Sequence, residues 1–388
     1  MKNRSKIHEI MADFADRTGL ITGSRTPKRY LWTDAFAVCN FLELYHQTGN
    51  ERYRANALNL VDQVHNVLGR QREDDSRNGW ISGLDEQEGE LHPTAGGLRI
   101  GKNLNERKPD DPYDERLEWE QDGQYFHYLT KWMHALNRVT QDIGDFKYNR
   151  WALELAKTAH HSFTYTIDNQ KRMYWKMSID LSRPLVLSMG QHDALDGLIT
   201  YHQLAATAAG DPETANDLDL TAEIADAMHM SKNINFFTDD PLGIGGLLSD
   251  ACTLTQLIIS SDLPLYEMLL ELFYNSKAGL DSFVLTDTLK YPSEYRLAFR
   301  ELGLSIGLRA IKKMQTLIKE HPENFANSKL LDSQLASFLE YLDISETIEK
   351  FWLEPKNQKS STWREHLDIN SVMLATSLAP EGYLGLRF

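Results

Sequence analysis

Apolar residues recur along most of the chain at the spacing of helices rather than strands, and the segments they mark are of two kinds. One kind has few mid-helix charges: AFAVCNFLEL from residue 35, LITYHQLAATAA from 198, GLLSDACTLTQLII from 246 and INSVMLATSL from 369. The other has one apolar stripe and one charged face, as in ERYRANALNLVDQV from 51, NRWALELAKTAHHSF from 149 and PLYEMLLELF from 264. A helix apolar on nearly every side is buried on nearly every side, and a striped one covers it from outside. The two kinds alternate.

A repeated turn links them. Gly49-Asn50-Glu51-Arg52-Tyr53, Gly144-Asp145-Phe146-Lys147-Tyr148 and Gly210-Asp211-Pro212-Glu213 each follow an apolar run and open an amphipathic one. This is helix-hairpin chemistry: a left-handed Gly ends one helix, Asn or Asp caps the next, and Pro212 suits a first turn. With this ruler the chain divides into helices near 4–18, 32–48, 51–68, 119–142, 147–167, 192–209, 213–232, 242–260, 264–278, 294–320, 328–350 and 365–378. Asp240-Pro241, Asp262-Leu263-Pro264, Pro292-Ser293-Glu294 and His321-Pro322 punctuate the scheme. Small residues such as Gly303 and Gly307 let an inner helix approach its neighbours. The expectation is all-α: an (α/α)6 barrel of six helical hairpins, twelve helices in two concentric rings, forming one domain over 1–388. An α-solenoid has similar pairs, but its repeats hold a tighter period than these uneven spacings.

Only two connections are long, 70–117 and 169–190. Both lead from an outer helix into an inner one, so both belong to the same end of the barrel. The second carries the short runs MYWKM and LVLSM, which could be strands. Loops of this length inside a compact domain are usually functional.

Composition narrows the chemistry. With 41 Lys+Arg against 56 Asp+Glu the net charge is −15, which argues against nucleic acid and anionic membrane surfaces. No uninterrupted apolar stretch approaches 18 residues, and the basic N-terminus has no apolar h-region, so a cytoplasmic protein without a membrane partner is expected. Cys39 and Cys252 are the only cysteines; both sit amid apolar inner-helix residues and read as buried small hydrophobes, leaving neither disulfides nor a Cys-rich metal site. No Walker loop, Gly-x-Ser-x-Gly elbow or HExxH helix occurs, and no cofactor or metal is expected.

The inner helices begin with unusual polarity. Trp32 and Asp34 open the first, and Glu118, Trp119, Glu120 and Asp122, with Tyr125 after them, open the second. His192 and Asp193 with Asp196 open the third, Glu294, Tyr295 and Arg296 the fifth, and His366 with Asp368 and Asn370 the sixth. The fourth has only Pro241-Leu242-Gly243-Ile244-Gly245-Gly246. Any one aspartate could be a helix cap, any one tryptophan a core residue and any one histidine structural, but their gathering at one end of the buried helices is more than capping requires. Aromatic faces stack on sugar C–H groups, carboxylates accept from hydroxyls, and a carboxylate pair can cleave a glycosidic bond. Asp122 and Asp193 are the expected working pair, with Asp122 and Glu118 sharing a helical face at i, i+4 spacing. Glu120 and His192 complete the catalytic candidates, and Trp32, Asp34, Trp119, Tyr125, Glu294, Tyr295, Arg296 and His366 are the candidates for binding substrate.

This plan resembles the six-hairpin glycosidase superfamily over nearly the whole chain. The Leu31-Trp32-Thr33-Asp34-Ala35-Phe36 segment is similar to the tryptophan-bearing entry of an inner helix in unsaturated glucuronyl hydrolases and in N-acylglucosamine or cellobiose 2-epimerases. The first resemblance implies catalytic aspartates, with Asp193 and Asp122 as counterparts. The second implies paired histidines, matched by His192 and His366. The epimerases also carry a His followed by a Glu on the intervening inner helix, where this chain has Gly243–Asp250 and no histidine. Three readings follow for a small-molecule or oligosaccharide ligand: a glycoside hydrolase, a sugar epimerase or isomerase, and a non-catalytic carbohydrate-binding or scaffold protein.

Overall fold

The computed structural model of the protein describes residues 2–21, 26–211, 217–232 and 234–387. Its residues gather into two compact units, one of 15–234 with Arg387 and one of 1–14 with 235–386. The Pro212 turn and the expected start of a helix at 213 lie outside the described residues.

In the 15–234 unit three buried helices, Leu31–Thr48, Phe126–Ile143 and Asp193–Ala208, pack side by side in chain order. Each is covered by the striped helix after it: Glu51–Leu68, Lys147–Phe163 and Thr221–Ser231. Every residue from Leu31 to Leu44 is buried, as the charge-poor sequence requires. Gly49 and Gly144 take the left-handed conformation, and Asn50 caps its helix by accepting from the Arg52 amide at 3.1 Å. Gly210 is not left-handed; that helix ends on right-handed Ala209.

The unit of 1–14 and 235–386 has the same logic. Pro241–Ser261, Ala298–Glu320 and Leu367–Leu378 are its buried helices, with Ala298–Glu320 packed between the other two. Tyr266–Leu285 and Leu342–Leu353 cover them. Pro241–Ser261 is long and apolar enough to cross a membrane by length and composition, but here it is a core helix. It meets Ala298–Glu320 at a glycine contact so close that a methyl group on Gly245 would lie 2.0 Å from the Gly303 carbonyl oxygen.

Several helix ends differ from expectation. The helix expected over 119–142 starts at Phe126; Glu115–Glu120 is a separate short helix, and 121–125 is extended. The cause is tertiary. Gly123 takes φ +146 against the Met177 carbonyl, and buried Gln124 bonds the Leu98 amide and the Gly96 and Ile179 carbonyls. The helix expected to begin at 294 begins at Ala298, after a 3-10 turn over Ser293–Tyr295, and that over 328–350 breaks into Ser328–Ala336 and Leu342–Leu353. His366 lies between the short helix Ser361–Glu365 and Leu367–Leu378.

The second long connection supplies two strands of a three-stranded antiparallel sheet, Gln124–Tyr125, Lys176–Met177 and Pro184–Val186 in that order, whose first strand lies just before the second buried helix. The runs MYWKM and LVLSM contribute to its second and third strands. A separate hairpin, Thr164–Ile167 with Gln170–Met173, replaces the last turn expected of the 147–167 helix. Lateral bonds join the loops further: Arg77 to Asp180 at 3.0 Å, and Arg107 to the Leu185 carbonyl at 3.1 Å. Both loops thus share one end of this unit.

Candidate functional site

The polar helix starts of the 15–234 unit are drawn together by aromatic side chains. Tyr30 precedes the first buried helix, and its hydroxyl lies 2.8 Å from that of Tyr128 in the first turn of the second. Tyr125 and Trp175, neighbours across the small sheet, have ring centres 5.2 Å apart. The His127 imidazole stacks on Tyr125 at 5.3 Å and lies nearly parallel to Trp175 at 6.2 Å. Trp119 meets Trp175 edge-on at 4.9 Å.

Asp193 sits against this wall. Its carboxylate lies 3.7 Å from His127 Nδ1, and its other oxygen accepts from the Gly190 amide at 3.2 Å. Asp193 is 4% exposed. Burial, reinforced by the negative charge of Asp196 one turn on, raises its pKa to about 8, against the pull of the Gly190 amide and Lys131. Lys131 reaches Asp196 at 3.4 Å. Burial acts oppositely on His127 and lowers it to about 4. Near neutral pH a protonated carboxyl therefore faces a neutral imidazole whose Nδ1 has no hydrogen-bond partner among the described residues. One can give a proton and the other can take one.

The other expected residues have definite places. Asp122 is fully buried, and the idea that it shares a helical face with Glu118 is corrected: it lies beyond the end of that short helix. It accepts from Arg99 at 2.7 Å, Arg72 at 3.1 Å and the Gly101 and Lys102 amides at 3.0 and 3.2 Å. Glu118 is equally engaged, with Lys176 and Arg107 both at 2.8 Å, so the two carboxylates do not line a cleft together. Lys176 is itself buried and also donates to the Glu118 and Gln121 carbonyls. Glu120 is exposed, near enough to Tyr30 and Lys102 for its charge to act on both. Burial lowers the Lys102 ammonium, while Glu120 and Asp122 oppose that shift. Asp34 accepts from the Tyr30 amide at 2.9 Å, a capping role, and lies 3.6 Å from Arg29. Trp32 is buried against Phe36. His192 is half-buried at the start of the third helix.

Glu294, Tyr295, Arg296 and His366 belong to the other unit. Arg296 is buried in a two-pronged pair with Glu301 at 2.8 and 2.7 Å, over the Phe351 ring. Trp352 donates to the same Glu301 at 2.8 Å. Glu294 is exposed, Tyr295 is 78% exposed, and His366 is exposed beside the Phe299 ring. Among the described residues no group of three His, Cys, Asp or Glu side chains is placed to hold a metal ion. Sequence reasoning missed His127, Tyr128 and Trp175. Their signal was present: an aromatic run, Tyr125-Phe126-His127-Tyr128, just after Gly123-Gln124, and a tryptophan inside a long loop.

No protein family matches the chain, and no curated protein does. Solved structures do. The GH76A alpha-1,6-mannanase from Salegentibacter sp. HEL1_6 is 10% identical with a TM-score of 0.50, over 97% of this chain and 99% of that one. A sugar epimerase from a ruminal bacterium is 10% identical with a TM-score of 0.52, over 96% and 98%. A D-mannose isomerase is 12% identical with a TM-score of 0.52, over 97% of each. At such identities the likeness shows the fold alone, and that fold is the all-α (α/α)6 barrel.

Proposed function

We propose that the protein is a carbohydrate-active enzyme, and specifically a glycoside hydrolase, in which Asp193 is the proton donor. The observation that carries this reading is the buried Asp193 carboxyl, held at about 8, against the neutral His127 imidazole, whose Nδ1 is unpartnered among the described residues. A departing glycosidic oxygen needs an acid that keeps its proton at working pH, and a raised carboxyl supplies it. His127, 3.7 Å from the donor, is too close to serve a water on the opposite face of the sugar ring; as a neutral acceptor it orients the Asp193 carboxyl. Tyr125 and Trp175 offer flat faces to the C–H groups of a sugar ring. Asp122, engaged on all sides, positions the loop that carries Lys102. The mannanase among the structures of like fold is in keeping with this reading.

His127 also favours a second reading. A neutral imidazole is a suitable base for a C–H next to a sugar carbonyl, the step of an epimerase or isomerase, and two of the similar structures carry those names. A sugar panel incubated in heavy water separates the two. Hydrolysis releases new reducing ends; isomerisation places deuterium at C2. In either case Asp193→Asn abolishes the signal. Turnover that survives in Asp193→Asn refutes the assignment of the donor. A wild-type protein that binds sugars and turns over none of the panel is the non-catalytic binding protein.

A further inference from the structure

The aromatic wall does not stop at the buried carboxyl; it continues outward to solvent. Exposure rises along it, from Asp193 at 4% through the His127 side chain at 25% and half-buried Trp175 to Trp119 at 45%. The ring-to-ring steps are 6.2 Å from His127 to Trp175 and 4.9 Å from Trp175 to Trp119. Beyond Trp175, the Trp119 indole lines an open pocket of about 500 Å³ together with Asp114, Glu115 and Arg116. Asp114 spends one carboxylate oxygen on the Leu117 amide, while Glu115 and Arg116 are exposed.

An indole of this size, left nearly half in water, forgoes the burial that a tryptophan normally finds in a fold. Two features explain what the exposure is for. The ring is continuous with the wall of the proposed catalytic site. Its pocket also pairs an aromatic face with a guanidinium and carboxylates, the mixture that holds a polyol: C–H groups on the ring, hydroxyls on the charged groups.

We propose that Trp119 is the platform of an outer sugar subsite, so that the substrate is an oligosaccharide spanning from Asp193 past Trp175 to Trp119 rather than a free monosaccharide. This rests on the sugar-handling reading above. The outer sugar makes no contact with the reacting atoms. Its binding free energy anchors the chain, and affinity therefore rises with chain length until the platform is covered.

Titration calorimetry with α-1,6-linked manno-oligosaccharides and β-1,4-linked gluco-oligosaccharides of one to six units tests this. For at least one series the wild-type protein gains about tenfold in affinity between the single sugar and the chain long enough to reach Trp119, the size expected of one aromatic stacking contact. Trp119→Ala loses that gain and Trp119→Phe keeps most of it; with nearly half of the ring in water both variants stay folded, and Trp119→Phe melts near the wild type. A gain that persists in Trp119→Ala, affinities independent of length, or no binding in either series overturns the proposal. Asp193→Asn separates the two claims, since it keeps the dependence on length whether or not Asp193 is catalytic. Length-dependent binding with no turnover would leave the platform standing and remove the catalytic reading.

Discussion

A carboxyl that holds its proton to about pH 8 beside an imidazole that stays neutral down to about pH 4 predicts the pH behaviour of both activity and stability. Activity by the proposed route needs protonated Asp193 and neutral His127, so kcat/KM forms a plateau between those values and falls on either side. A pH–rate profile checks this, and Asp193→Asn lowers kcat by about 10²–10⁴. Stability follows with opposite signs. In the unfolded chain Asp193 ionises near 3.8, so between about 4 and 8 the folded state holds a proton that the unfolded state has released. Its contribution therefore weakens as pH rises through that window, and Asp193→Asn melts above the wild type at pH 9 by scanning calorimetry. For His127, and for buried His65, which is lowered to about 3, the unfolded state takes up protons first as pH falls below 6.5. Their contribution is lost on the acid side. Asp122 behaves differently from Asp193. Asp122→Asn leaves Arg72 and Arg99 without their shared carboxylate in a buried place and costs about 3–5 kcal/mol in a denaturant melt. A variant with an unchanged midpoint would show that the ion pairs contribute nothing. The sequence put Asp193 and Asp122 on equal footing as polar residues at helix starts; only burial and partners separate them, and neither is written in a local pattern.

At the scale of elements, the legible part was the part set by local chemistry. Gly49-Asn50 and Gly144-Asp145 read as hairpin turns because a left-handed glycine and a capping side chain act within a few residues. The start of the second buried helix was not legible. Trp119, Asp122 and Phe126 have helical spacing, but Gln124 and Asp122 are committed to loop partners distant in sequence, and those bonds outweigh helix propensity. His127, which falls inside the expected 119–142 helix, stands instead in the first turn of a helix that begins at Phe126. The glycine contact tests the packing of elements directly. Gly245→Ala forces a methyl group onto the Gly303 carbonyl, backbone that cannot swing aside, and destabilises by about 3 kcal/mol. Gly246→Ala is the control one residue away. No atom of the described residues lies within 4 Å of its added carbon, so it gains about 0.5–1 kcal/mol from helix propensity. Chemical denaturation of the two variants gives shifts of opposite sign, and a shared direction would show that the helices do not depend on this approach.

At the scale of the molecule, the alternation of charge-poor and striped helices carried the barrel, because burial on all sides is a property of composition and survives errors of several residues in helix ends. The chain order of the two units adds a thermodynamic consequence. One unit is built from residues 1–14 and 235–386, with the whole of 15–234 between them in sequence. Its N-terminal segment contributes the buried side chains of Ile7, Met11 and Phe14. While 15–234 is folded, residues 14 and 235 are joined through a compact unit. Once 15–234 unfolds, keeping residues 1–14 in place means closing a flexible loop of more than two hundred residues, which costs on the order of 5 kcal/mol. That is comparable to the net stability of an ordinary domain, so loss of one unit removes much of what holds the other. We therefore expect the full chain to melt as one domain: a single calorimetric transition whose measured enthalpy equals its van't Hoff enthalpy. Two resolved transitions, one of them moved by Gly245→Ala and the other by Asp122→Asn, would instead mean that residues 235–386 stand without their N-terminal segment and that the units unfold independently.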